Sequence, residues 1–285
     1  MTILIDIISL FFNNEQIIKK YEENIIKLSN DKYNINFILV CNKSIDNTLH
    51  ELNKLKKIYN NVTVILTNSN GCSLGKNTGI LNSRPNSDYL LFLDSDITIN
   101  SQCIDEYINS ITHDVKYVSY FGGNIDNEKY IGGTFLNNDT VINNISEQRY
   151  LGGGCSLICN KLVNQHKLLF DVYYDPFIMQ DVDFSFKVLS CAKIKNIKIN
   201  NSNVSHLGSY TINQFKKGFY QCQLLRNSLY IMNKYDIFKK NILHDLTDFF
   251  VIYIVKYFCV FYFRKIIILI STSNYNFGMR TKNFI

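Results

Sequence analysis

A chain of 285 residues with 46% hydrophobic and 19% charged residues has enough apolar material to bury a sizeable core, which excludes a disordered chain and fits one large domain, alone or with an appendage. The net charge of +6 is uneven: residues 1–186 carry 15 Lys and Arg against 21 Asp and Glu, whereas residues 187–285 carry 15 against 3. The basic, aromatic part is expected to face an anion such as a phospholipid surface or a lipid-linked phosphate, and nucleic acid is set aside because no helix shows a groove-reading pattern.

In chain order, residues 3–12 form an apolar first strand. The N-terminus lacks a basic leader and a small-residue cleavage site and carries Asp6, so it reads as sheet rather than as a signal peptide. Asn13-Asn14-Glu15 then caps a helix with Ile17, Tyr21, Ile25 and Leu28 on one stripe. Residues 35–41 make a second strand, Asp46 caps a helix bearing Leu52, Leu55 and Tyr59, and residues 62–67 make a third strand. A short helix over 76–81 precedes a fourth strand at 89–93. Near-continuous apolar strands alternating with helices predict an α/β fold with a mostly parallel central sheet and helices on both faces.

The fourth strand runs straight into Asp94-Ser95-Asp96, at the carboxyl end where an open α/β sheet places its ligand crevice. Two carboxylates leaving a strand can splay around a divalent ion that bridges a diphosphate. A helix from Ser101 and a strand over 116–121 follow, then glycines at 122–123, 132–133 and 152–154 that punctuate short strands or loops. The last of these lacks the Lys-Ser/Thr of a phosphate-binding loop and reads as a sugar-side wall or a plain turn. Residues 180–191 form a helix with Asp181 and Asp183 in its first turn, and a strand over 194–199 leads to Val204-Ser205-His206.

Phe215, Phe219, Leu225, Leu229 and Met232 suggest one long helix over 211–235. Residues 249–270 are strongly apolar, but Lys256, Arg264 and Lys265 interrupt them, so no charge-free run reaches the ~20 residues a spanning helix needs. A helix lying on a membrane, packed on a partner or buried in a larger core all fit. The eight cysteines contain no Cys-x-x-Cys pair and sit partly in apolar runs, as reduced thiols of a cytoplasmic protein would. The Asn-x-Ser/Thr triplets are then products of an Asn-rich composition.

These residues resemble the inverting family 2 glycosyltransferases of GT-A fold. Phe12-Asn13-Asn14-Glu15 is similar to that family's turn after the first strand, Asn42 to Thr48 to its second-strand nucleotide loop, and Gly75-Lys76-Asn77-Thr78-Gly79 to its short Arg/Lys-Asn-x-Gly helix. Asp94-Ser95-Asp96 is similar to its metal motif, Phe170-Asp171 and Gln180-Asp181-Val182-Asp183 to its acceptor-side acidic motif, and His206 stands where many members carry a histidine. The resemblance covers residues 3 to about 230. It implies a donor half over 1–100, an acceptor half over 101–210 and a helical, basic and aromatic region over 211–285 that is a candidate for membrane association.

It also implies site roles. Phe12, Asn13, Asn42, Asp46, Lys76, Asn77, Asp94 and Ser95 would bind a nucleotide-sugar, a UDP-sugar being favoured. Asp94, Asp96 and His206 would hold Mn2+ or Mg2+, the imidazole favouring the softer ion. Asp181 would be the base that deprotonates the acceptor, whether glycan, lipid-linked or protein, while Asp183 points elsewhere as a structural group. Two positions depart from the family: Asn42 replaces an acidic residue at the base edge, and Gln180 replaces a Glu beside Asp181. Arg226-Asn227 resembles a recurrent pair that contacts phosphate, or is a solvated helix Arg. Two other readings stay open: a haloacid-dehalogenase-type phosphatase with Asp94 as nucleophile, and an inactive sugar-nucleotide-binding relative. The place of action is expected in the cytoplasm, either free or peripheral at the inner face of the cell membrane.

Overall fold

The computed structural model describes residues 2–29, 32–121, 124–125, 128–129, 141–143, 151–176, 178–198, 204–206, 226–231 and 233–235. The chain divides into two units, Met1–Ile231 and Met232–Ile285. In the first, three strand–helix repeats open the fold: β1 (Ile3–Phe11), α1 (Ile18–Leu28), β2 (Tyr33–Asn42), α2 (Thr48–Ile58), β3 (Val62–Thr67), α3 (Cys72–Leu81) and β4 (Tyr89–Leu93). There follow β5 (Ile97–Ile99), α4 (Ser101–Ser110), β6 (Val115–Phe121), β7 (Asn124–Ile125), β8 (Glu128–Lys129) and β9 (Val141–Ile142). The unit continues through β10 (Cys155–Cys159), α5 (Asn160–His166), α6 (Gln180–Leu189), β11 (Lys193–Lys198) and β12 (Val204–His206).

An eight-stranded sheet runs in the order β3-β2-β1-β4-β10-β6-β11-β9, and a four-stranded one in the order β5-β12-β7-β8. Strands β1 to β4 are parallel neighbours, and β1 is buried almost continuously because helices cover both sheet faces. Helix α1 buries Ile18, Tyr21, Ile25 and Leu28 on a stripe of helical period, each worth about 1.5–3 kcal/mol in water-excluded surface. At the far end of β1, the fully buried Asp6 accepts from Arg84 Nε at 2.7 Å and from the Arg84 backbone N–H at 2.6 Å.

Strand β10 is a short apolar run that the sequence reading passes over, and it lies antiparallel between β4 and β6. The sheet is therefore mixed at its centre. Cys155 opposes Leu93, so the start of β10 abuts the end of β4, and the glycines before it become a wall of that strand end. Helix α3 begins at Cys72, earlier than the 76–81 read from sequence, and its glycines let it press onto the sheet: a Cβ on Gly79 would stand 2.2 Å from an Ile8 methyl.

Of the long helix expected over 211–235, residues 226–231 and 233–234 are helical; 207–225 and the apolar segment 249–270 lie outside the described residues. Among the described residues no helix is long and apolar enough to cross a membrane. Cys41, Cys72, Cys103, Cys155, Cys159 and Cys191 carry no disulfide, while Cys222 and Cys259 lie outside the described residues.

Candidate active site

The loops after β1 and β2 interlock through turn chemistry. Asn13 N–H donates to Ser44 Oγ at 3.0 Å, Asn13 Oδ1 accepts from Ile45 N–H at 2.9 Å, and Asn14 N–H donates to Thr48 Oγ1 at 2.8 Å. Asp46 accepts from the Glu15 and Thr48 backbone N–H groups at 3.2 and 3.0 Å, and Glu15 accepts from Asn47 N–H at 2.9 Å. Burial opposes ionisation of Asp46, but the hydrogen bonds from Thr48 and Glu15 outweigh it and hold the carboxyl below the usual range. Phe12 N–H bonds Asn14 Oδ1 at 2.8 Å, and Asn13 and Lys43 adopt left-handed backbone, which Asn tolerates well. Asn42 is buried, its amide donating to the Gly71 carbonyl at 3.0 Å and accepting from Thr67 Oγ1 at 2.9 Å.

Beyond β4 the chain turns through Asp94-Ser95-Asp96, closed by Ile97 N–H donating to Asp94 O at 3.1 Å. The antiparallel register of β12 on β5 sets His206 opposite Ile97. His206 Nε2 consequently lies 3.1 Å from Asp96 Oδ2. Asp94 N–H is tied to the Gly154 carbonyl at 2.7 Å. The Asp94 carboxyl is pushed up to about 6, chiefly by burial, with Lys76 and His206 opposing the shift and the charges of Asp96 and Asp181 adding to it.

Lys76, on α3, is buried and donates to Asp181 Oδ1 at 2.7 Å and to the Gly153 carbonyl at 3.4 Å. Its Nζ lies 4.9 Å from the Phe170 ring centre, and Phe170 stacks on Phe184 at 4.1 Å. Asp181 enters from the first turn of α6. The two residues before that helix, Ile178 and Met179, have φ of 74° and 72°, a conformation costly for bulky side chains and found where surrounding bonds enforce it. One such bond is Asn227 Nδ2 donating to Ile178 O at 2.9 Å. Ser185 Oγ donates to the Asp181 carbonyl at 2.8 Å and accepts from Leu151 N–H at 3.0 Å, so α6 is fixed to the glycine segment.

Helix α3 is clamped to the segment before α6. Asp175 accepts from the Ser73 and Leu74 N–H groups at 2.7 and 3.2 Å, a cap for α3 supplied from a hundred residues away. Asn77 and Phe170 exchange two 2.8 Å bonds, side-chain amide to backbone, in both directions.

The structure thus gathers Lys76, Asp94 and Asp181 around Gly153 and Gly154, with Asp96 and His206 paired at the turn. Ser95 lies in that turn, whereas Asn77 spends its amide on Phe170. Asp183 is buried away from the cluster, bonded by Tyr174 and Lys187. Arg226 stacks on Tyr173 at 4.1 Å and donates to its carbonyl. Asp175 escapes sequence reasoning because its partners lie about a hundred residues away, and Gly153, read as part of a wall or turn, shows its fit to Asp181 only in the fold.

Among the described residues, no three His, Cys, Asp or Glu side chains converge closely enough to hold a cation alone. The donor types of the set nevertheless fit a divalent ion shared with phosphate oxygens: two carboxylates leave one turn, and an imidazole nitrogen lies 3.1 Å from the second of them.

The family model for glycosyl transferase family 2 matches residues 6–161. A poly(ribitol-phosphate) beta-glucosyltransferase of Bacillus spizizenii is 33% identical over 107 residues, which are 37% of this chain and 17% of that protein. Among solved structures, S. aureus TarS 1–349 in complex with UDP-GlcNAc superposes with a TM-score of 0.60 at 15% identity, covering 82% of this chain and 67% of that one. The same TarS fragment determined without a named ligand gives 0.55 at 16% identity over 72% of this chain and 59% of its own. The mannosyltransferase PcManGT from Pyrobaculum calidifontis, in complex with GDP-Man and Mn2+, gives 0.53 at 11% identity over 73% and 57%. At these identities the solved structures establish the fold, a GT-A α/β arrangement.

Proposed function

The chain belongs to glycosyl transferase family 2, and from that membership we propose that it moves a sugar from a nucleotide-sugar to a hydroxyl acceptor, with inversion, in the assembly of a surface polysaccharide. The observation that carries this reading is the convergence of Asp94 and Asp181, from distant parts of the chain, on the two glycines at the end of β4. Membership in the family favours transfer over the phosphatase alternative built on Asp94.

In the proposed reaction the Asp181 carboxylate takes the proton of the acceptor hydroxyl, whose oxygen bonds to the anomeric carbon as the bond from that carbon to the diphosphate breaks. The interlocked loops at 12–15 and 43–48, with Asn42 behind them, frame the nucleoside. Asp96 and His206, with Asp94, would hold Mn2+ or Mg2+. When bound, that ion supplies Lewis-acid neutralisation of the departing diphosphate. A UDP-sugar is the favoured donor, supported by the UDP-GlcNAc complex of TarS, and Mn2+ is supported by the PcManGT complex. The name of the Bacillus spizizenii relative supports a polyol-phosphate or other glycan acceptor. The excess of basic residues over 187–285 supports work beside an anionic membrane face.

The test is a panel of nucleotide-sugars with Mn2+, scored by nucleoside diphosphate release and by thermal shift. A UDP-sugar is expected to give both signals, and Asp96→Ala is expected to abolish metal-dependent release with the fold retained. Unchanged turnover in Asp96→Ala counts against the site, and thermal shift without release from the wild type selects the inactive, binding-only alternative. Removing residues after Tyr235 is expected to release the chain from anionic liposomes; equal binding by the truncated chain removes the membrane assignment.

A further inference from the structure

We propose that Lys76 is a positioning residue that holds the Asp181 carboxylate against the acceptor side, and not a ligand of the donor diphosphate. This rests on the transferase reading. A buried ammonium is costly unless paired, so its partner is part of the design of the fold. Here the partner is Asp181 at 2.7 Å, with the Gly153 carbonyl at 3.4 Å and the Phe170 and Phe92 rings at 4.9 and 5.9 Å filling other sides. Burial works against the charge on Lys76, but Asp181 and then Asp94 outweigh it and keep the amine protonated well above its ordinary range.

The helix that carries Lys76 cannot readily drift from Asp181. Asp175 caps its first turn and Asn77 grips Phe170, both from the segment that leads into α6. Gly153 leaves room for the same carboxylate oxygen: a Cβ there would lie 2.0 Å from Asp181 Oδ1. Asp181 is therefore placed by a cation and by the absence of a methyl beside it. The contacts of this ammonium are a carboxylate, a carbonyl and two ring faces, so we assign the neutralisation of phosphate to the other end of the cluster.

The test measures donor KM and kcat for sugar transfer in Lys76→Met, Lys76→Arg and Gly153→Ala. Lys76→Met is expected to lower kcat by about 100-fold or more while leaving donor KM within about threefold, and Lys76→Arg, which keeps the charge, to recover to within about tenfold of wild type. Gly153→Ala, which moves Asp181 without touching the charge, is expected to lower kcat with KM unchanged. A tenfold rise in donor KM with kcat retained in Lys76→Met makes Lys76 a diphosphate ligand and overturns the proposal. If the wild type turns over no nucleotide-sugar, the transferase reading fails by itself. Thermal unfolding of Lys76→Met, Asp181→Asn and the double variant then decides the pairing: non-additive shifts are expected, and additive ones overturn it.

Discussion

Two parts of the molecule meet the carboxyl end of β4, and they are held there in opposite ways. The loops after β1 and β2 are built from Asn, Ser, Asp, Glu and Thr, which bond the nearest turn backbone wherever they occur, and each loop satisfies the other. The segment around 151–181 relies on glycines, strained backbone at Ile178 and Met179, and bonds to partners far along the chain, on α3 and at Asn227. A frame made from neighbouring turn residues is robust and generic. One made from distant partners can be aimed, and it is also where one substitution reaches furthest.

The largest contrast is expected at Asp181. Asp181→Asn should lower sugar transfer by about 10²–10⁴-fold while circular dichroism and donor thermal shift stay near wild type, since a general base contributes in that range. Retained turnover would show that the aimed side carries no chemistry. Arg84→Ala tests the opposite end of the same sheet, where it removes the cationic partner of the buried Asp6 carboxylate and leaves it the backbone N–H of residue 84; a loss of about 3 kcal/mol in denaturant unfolding is expected, with unchanged kcat per folded molecule.

Asp175→Ala sits between these. Losing the cap of α3 should cost about 1–2 kcal/mol and also lower kcat, because the helix that holds Lys76 loosens; a stability loss with kcat untouched would separate the clamp from catalysis. The smallest effect belongs to the interlocked loops. Asp46 ionises more readily in the folded chain than in the unfolded one, so its contribution is present above the unfolded-state value near pH ~4 and is lost as pH falls through the folded value. Asp46→Asn should lower the melting temperature slightly at neutral pH, and the gap to wild type should close as acid protonates the folded-state carboxyl; a gap that stays constant across the acid titration would assign the effect to shape and not to charge.

The same contrast explains what could be read in advance. Strands β1 to β4 and their helices follow from apolar runs and a single helical stripe, and the turn through Asp94-Ser95-Asp96 is legible because two carboxylates abruptly end a run of five apolar residues. Strand β10 is not legible: Cys-Ser-Leu-Ile-Cys is short, follows three glycines, and owes its state to the strands on either side of it. Asn77 shows the limit within a recognised motif. Its residue type suits a ligand contact, yet its amide matches the Phe170 backbone, a partner 93 residues away that no local pattern announces. His206 joins Asp96 only through the register of β12 on β5.

Because β10 runs against β4 and β6, the excursion between β6 and β10 both departs from and returns to the rim where Asp94 sits. The polarity of one five-residue strand thereby puts the end of β6, the start of β10 and the Asp94 turn on one edge of the sheet.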